Sequence, residues 1–290
     1  MKSILFFLLA SLPATIVAQS YNVLLIPDSL KKNANIIVRE NSLEMEIKSP
    51  AKATVKERRV YTIMNEAGAR YADYTTRYDN FFSINYIDAY LYDAMGKEIK
   101  HVKKKDMQDR SGVGEESLMD DARYKEYDFY YKTYPYTVAF EEEDDVNGLL
   151  YFNSWIPLFA PNMSVAFSKY VITAPKDYLI RYRPRNCSIQ PVIKEDGNKK
   201  IYTWQLSNLT AITRESSAPD LNEIVPNVSF APSVFEVDNY KGDMSTWEGF
   251  GKFIYQLLQN RDVLPDDIKT KVHQLAESYK RRAAKNLCAI

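Results

Sequence analysis

Five consecutive acids, Glu141-Glu142-Glu143-Asp144-Asp145, are the densest ionisable stretch in the sequence. Extended to Gly148, the run sets Glu143, Asp145 and Asn147 at alternate positions before a glycine, as a calcium loop begins. The loop's twelfth position would be Ser154 where a bidentate Glu is needed, and no helical pattern flanks it, so the match fails. As a strand, the run divides its acids between two faces; it reads as a solvated hairpin edge whose charge resists sheet-to-sheet aggregation. Glycoside hydrolysis needs two carboxylates on facing walls of a cleft. With 38 acids in the chain, no local pattern selects such a pair.

Other nucleophilic and metal chemistry is as poorly supplied. A Ser-His-Asp triad could draw only on His101 or His273, and no G-x-S-x-G elbow is present. Two Cys and two His exclude most zinc chemistry. Only nine Gly occur, with neither a G-x-G-x-x-G nor a G-x-x-x-x-G-K-[ST] run to cradle phosphates. No catalytic residue, metal ligand or cofactor is therefore assigned. The 38 basic and 38 acidic side chains cancel, so no whole-chain field steers the protein to nucleic acid or to an anionic membrane. The short basic runs Lys103-Lys104-Lys105 and Lys280-Arg281-Arg282 read as solvated faces.

What the chain has in abundance is aromatic surface: 22 Tyr and 13 Phe. Such residues offer flat apolar area with polar tips, which suits either a core or a platform for sugars and peptides. Trp204 shares a strand face with Tyr202 and Leu206 and reads as core. Trp155, just before Ile156 and Pro157, is nearer a strand end and is the one candidate ligand-binding residue. Asn162-Met163-Ser164, Asn208-Leu209-Thr210 and Asn227-Val228-Ser229 match glycosylation acceptors, a pattern that arises often by chance.

The N-terminus reads as an address. Met1-Lys2, the apolar run from Ile4 to Ala10, and Ile16-Val17-Ala18 give the three-part layout of a secretory signal peptide over residues 1–18, cut between Ala18 and Gln19. The expected destination is periplasmic or extracellular, with no membrane span in the mature chain. Cys187 reads as a free thiol at a strand end rather than the partner of Cys288.

The elements that would position these residues are mostly strands. Hydrophobic residues are 46% and charged residues 26%, enough for a sizeable core. Ile36 and Val38, then Leu43, Met45 and Ile47, alternate with polar neighbours. Ile87, Ala89 and Leu91 face one way while Tyr86, Asp88, Tyr90 and Tyr92 face the other. Residues 103–121 form a charged excursion, expected to be a mobile loop. Asn147-Gly148 predicts a type I′ hairpin between a strand ending near Phe140 and one holding Leu149, Tyr151 and Phe152; Asp196-Gly197 predicts a second. Many strands without interleaved helices predict an antiparallel β-sandwich over residues 19–242. A helical segment follows over 243–290. Ser245-Thr246-Trp247-Glu248 has the form of a capping box opening a helix with Trp247, Phe250, Ile254 and Leu257 on one face. A second helix begins at Pro265 and carries Ile268, Val272, Leu275 and Tyr279. These apolar stripes need something to pack on: the sandwich, or a further domain.

Tyr134-Pro135-Tyr136-Thr137-Val138, Ser154-Trp155-Ile156-Pro157-Leu158, Tyr202-Thr203-Trp204 and the helix pair opened by Trp247 together resemble the domain of unknown function 3857 family. The resemblance spans about Ala34 to Ala276. It implies the β-rich N-terminal part of an exported bacterial protein, usually followed by a transglutaminase-like domain with a Cys, a His and an Asp in that order. Only Ala289 and Ile290 follow Cys288 here, and His273 precedes it, so no catalytic residue carries over. The expected role is a non-catalytic module that binds or positions a protein, peptide or envelope polymer. A truncated thiol acyltransferase or cysteine peptidase, and a carbohydrate-binding module, are the alternatives.

Overall fold

The protein is described by a computed structural model covering residues 21–112, 121–261 and 263–287. The expected leader at 1–18 and Cys288 fall outside these described residues. Fifteen strands follow in chain order among them: β1 (Ile36–Ser49), β2 (Lys52–Ile63), β3 (Tyr74–Tyr78), β4 (Phe82–Tyr92), β5 (Glu98–Lys103), β6 (Gln108–Ser111), β7 (Arg123–Tyr127), β8 (Tyr136–Asn147), β9 (Met163–Pro175), β10 (Ile180–Arg185), β11 (Val192–Asp196), β12 (Lys199–Leu209), β13 (Asn227–Pro232), β14 (Val234–Val237) and β15 (Tyr240–Asp243). Single helical turns α1 (Asp28–Lys31) and α2 (Leu221–Ile224) precede the longer α3 (Trp247–Leu258) and α4 (Asp266–Leu287).

Eight strands form one large sheet in the order β11-β12-β9-β1-β2-β8-β4-β5. Its pairings are antiparallel apart from β1 beside β9, which run parallel with Ile36 next to Met163 and Glu46 next to Thr173. One face of this sheet carries the core. Over one half, Ile36, Val38, Tyr61, Ile63, Val138 and Phe140 meet Tyr74 of the β3-β7-β6 layer and Met107, the residue before β6. Over the other half, Met45, Ile47, Tyr170, Ile172 and Trp204 meet Ile180 and Phe230 of the β10-β13 pair, Phe235 of β14 and Phe253 of α3. The fold is thus mainly β, and "sandwich" describes it approximately: several small sheets and a helix share the second layer. On the opposite face, the chain before β1 lays Val23, Ile26 and Leu30 against Ile37, and Tyr21 against Val60 and Ala139.

Apolar alternation places these side chains, with one phase change. Ile36 and Val38 point to the same face as Met45 and Ile47, although their numbers differ in parity, because a bulge lies between Val38 and Glu40. One inserted residue reverses the alternation, so both stretches reach the core.

Four expectations need correction. Asn147-Gly148 does not turn a hairpin: β8 runs through the acidic stretch to Asn147, and the next strand begins at Met163. The Asn147 and Gly148 amides donate instead to the Phe81 and Ala51 carbonyls of neighbouring turns, and Leu149, Phe152, Trp155 and Leu158 are buried by an irregular segment. The acidic run is not an edge, since β8 lies between β2 and β4. Residues 103–121 are not one loop, since they hold β6, although 113–120 lie outside the described residues. The first long helix is capped one residue later than predicted: Thr246 Oγ1 accepts from the Gly249 amide at 3.0 Å, while the Ser245 amide donates to Asp243. The Asp196-Gly197 turn joins β11 to β12 as the spacing predicts, with Gly197 at φ +55°.

Candidate functional site

Strand alternation splits the five acids. Glu141, Glu143 and Asp145 project from the outer face of the large sheet, where cations on β1 and β2 meet them. Lys56 reaches Glu143 at 3.0 Å, Lys48 reaches Asp145 at 3.5 Å, and Arg58 bonds Glu141 while reaching Glu40 at 3.1 Å. The alternate acids that resemble the start of a calcium loop are therefore held in a regular strand opposite lysines.

Glu142 and Asp144 point the other way, into the layer between the sheets, in phase with Phe140 and Val146. Glu142 is 4% exposed. A carboxylate tolerates such burial only with donors on its oxygens. Tyr74 Oη donates to Oε2 at 2.7 Å and Thr76 Oγ1 to Oε1 at 2.5 Å, both from β3. Arg59 of β2 approaches Oε2 at 3.5 Å and lies over the Tyr74 and Phe140 rings at 5.4 and 5.7 Å, a charge held against aromatic faces. Glu57, the cross-strand neighbour of Glu142, is 3.6 Å from the same guanidinium.

Glu57 and Glu142 thus share one arginine, and Asp144 follows Glu142 on the same inward face of β8. Asp144 is the member that gives way: burial, then the charge of Glu142 and a hydrogen bond to it, push its carboxyl up to about 8. Its Oδ1 is buried with no hydrogen-bond partner. Burial and Glu142 also hold the Tyr74 phenol well above its ordinary value, so it remains a donor. Chemically this is a pair of inward-facing acids of which one, Glu142, takes its donors from the covering sheet.

The residues singled out from the sequence are scattered rather than assembled. Trp155 is 4% exposed, and its indole Nε1–H donates to Ser168 Oγ at 2.9 Å, so the ring belongs to the core instead of offering a face to a sugar. Trp204 is fully buried among Tyr170, Tyr182, Tyr202 and Phe230. His101 on β5 contacts Asp88 at 2.8 Å and stacks on Tyr90 with ring centroids 4.2 Å apart. Cys187, a free thiol just past β10, lies 3.8 Å from the Asn227 carbonyl. His273 is exposed on α4. Among the described residues, no group of three or more His, Cys, Asp or Glu side chains is placed to hold a metal ion, and no helix is long and apolar enough to cross a membrane.

Apolar surface is concentrated at the helices. Trp247, at the first position of α3, is 90% exposed. It lines a hollow of about 350 Å³ with Arg181, Met244, Ser245, Thr246 and Phe250. Tyr255 and Leu258 of α3, then Val272, Leu275 and Tyr279 of α4, are also exposed. Phe253 turns inward and fixes α3 through an edge contact with Phe235.

Tyr74, Thr76, Arg59 and Glu57 did not stand out in the sequence. Arg59 carried one signal, since it keeps the inward phase of Tyr61 and Ile63.

A family model for the Domain of Unknown Function DUF3857 matches residues 49–213. No curated protein matches the chain. A crystal structure of a candidate protease from Parabacteroides distasonis is similar in fold, with a TM-score of 0.57 and 13% identity over 68% of this chain. The chain spans 40% of that protein's length. An M1 zinc metallopeptidase from Deinococcus radiodurans matches at a TM-score of 0.33 and 7% identity, covering 68% of this chain and 42% of that one, too low to carry an argument.

Proposed function

The chain belongs to the DUF3857 family, and on that premise we propose that it is a non-catalytic module of an exported protein, binding or positioning a protein or peptide partner. The carrying observation is the apolar surface of the helices: Trp247 stands 90% exposed beside the Arg181–Phe250 hollow, while Phe253 anchors α3 to the β-body. A large aromatic on a rigidly seated helix, with an arginine at its edge, has the composition of an interface anchor. Among the described residues, His101 has Asp88 and Tyr90 as partners and Cys187 has Asn227, so imidazole and thiol do not face each other, which supports the same reading.

Two experiments test it. Purified chain from Gln19 onward is assayed for peptide hydrolysis and for transamidation; turnover abolished by Cys187→Ala would refute the non-catalytic reading. Cross-linking in the source cell, followed by mass spectrometry, should place the partner on Trp247 and Leu258, and Trp247→Asp should remove those cross-links. Cell fractionation tests export: recovery of the chain in the cytosol with residues 1–18 still attached would contradict it.

The fold likeness to a candidate protease favours a second reading, in which the β-body adjoins a catalytic domain of a thiol acyltransferase or cysteine peptidase. A Cys, a His and an Asp in that order, encoded in frame beyond Ile290, would decide for it.

A further inference from the structure

We infer that Glu142 and Asp144 form a protonation-dependent clasp that seats the β3-β7-β6 layer on the large sheet and releases it when Asp144 ionises. The geometry is that of a latch. Both Glu142 oxygens are held by β3, through Tyr74 at 2.7 Å and Thr76 at 2.5 Å. Both donors leave together if β3 lifts.

The charges facing the gap determine the sign. From β2 come Glu57 and Arg59, from β8 Glu142, and from β3 the neutral Tyr74 and Thr76. Lys125 of β7, the cross-strand neighbour of Thr76, is engaged with Asp109 of β6 at 3.0 Å. Lys104, in the turn after β5, bonds the carbonyl of Ile84, the cross-strand neighbour of Asp144. With Asp144 protonated, its O–H serves Glu142, and Arg59 faces two negative charges. Loss of that proton to solvent adds a third negative charge to the cluster, removes a donor and leaves a half-buried charge beside Glu142. Asp144, raised from an ordinary 3.8 to about 8, therefore lends stability that is complete in acid and lost as pH climbs through its folded value.

The test is hydrogen exchange by mass spectrometry on the full chain at pH 6.5 and 9.5, corrected for intrinsic rates. Protection of the β3 and β7 amides should fall at least tenfold at the higher pH, while β9 and β12 keep theirs. Asp144→Asn, which cannot ionise, should abolish the difference. A pH-independent β3, an equal loss in β9 and β12, or the same loss in Asp144→Asn would overturn the inference. Should Asp144→Asn fail to fold, the ¹³C carboxyl titration of wild-type Asp144 decides: a midpoint coincident with the loss of protection supports the clasp, and an ordinary carboxylate midpoint refutes it.

Discussion

The hydroxyl of Tyr74 donates to Glu142 Oε2 across 2.7 Å, joining a strand of the small layer to a central strand of the large sheet. A hydrogen bond to a charged, buried acceptor contributes about 1.5–3 kcal/mol. Tyr74→Phe keeps the ring against Phe140 and removes only that bond, so it should lower stability by about that amount. Urea denaturation checks this, and an unchanged midpoint would mean that Glu142 finds another donor.

Arg59 should matter far more than the lysines on the outer face. Removing one partner of a buried charge group costs about 3–5 kcal/mol, whereas exposed pairs contribute about 0–1 kcal/mol. Arg59→Met leaves Glu57 and Glu142 facing each other without a cation. Lys56→Ala breaks only a pair in which the lysine side chain is largely exposed. Denaturant midpoints of the two variants should therefore separate clearly, with Arg59→Met much the lower.

The acid side of the stability profile should have a contribution from Asp109. Hydrogen bonds from Lys125, then Tyr78 and Arg123, hold its carboxyl down to about 2. A depressed acid stabilises the folded state above its ordinary value of 3.8 and loses that effect as pH falls through about 2. Thermal melts of Asp109→Asn between pH 5 and 2 should fall less steeply than those of the wild type. Parallel curves would show that this cluster is not felt globally.

Tryptophan emission can be assigned residue by residue. Of the three Trp, Trp155 and Trp204 are buried and Trp247 is exposed. Acrylamide should quench one component strongly, and Trp247→Phe should remove that component with a stability change within about 0.5 kcal/mol. Trp155→Ala should instead cost about 3–5 kcal/mol, because it empties a packed site. If Trp155 were the readily quenched residue, the packing of the 148–162 segment would have to differ from that described.

How much of this was readable in advance depended on where the cause lay. The burial of Trp204 was legible because Tyr202 and Leu206 share its face of β12, a strictly local relation. The bulge in β1 was also present in the letters, as a change of parity between Val38 and Leu43, though only the ladder shows where it falls. The split of the acids between two faces followed from alternation alone. Which half faces the core did not, because Glu142 is buried by donors on Tyr74 and Thr76, distant in the chain. Asn147-Gly148 misled for a similar reason: its amides are claimed by Phe81 and Ala51, so a strong local turn signal yields to partners brought in by the sheet. The apolar period of α3 was legible, but not its phase: Phe250 and Leu257 of the expected stripe pack on the β-body together with Phe253, while Trp247 and Ile254 are left exposed.

The parallel seam of β1 with β9 bears on how the chain reaches this state. β2 follows β1 through a tight turn and can pair at once, whereas β9 must wait for every residue between Ile63 and Met163 to be synthesised. Until then, the second edge of β1 is an open backbone template flanked by apolar side chains, a feature that invites pairing with the wrong chain. Closing it demands a long-range contact, which makes docking of the β9–β12 half a late and slow event. A nascent polypeptide released before Pro175 would keep that edge bare, and this is the interval in which a holdase would be most needed.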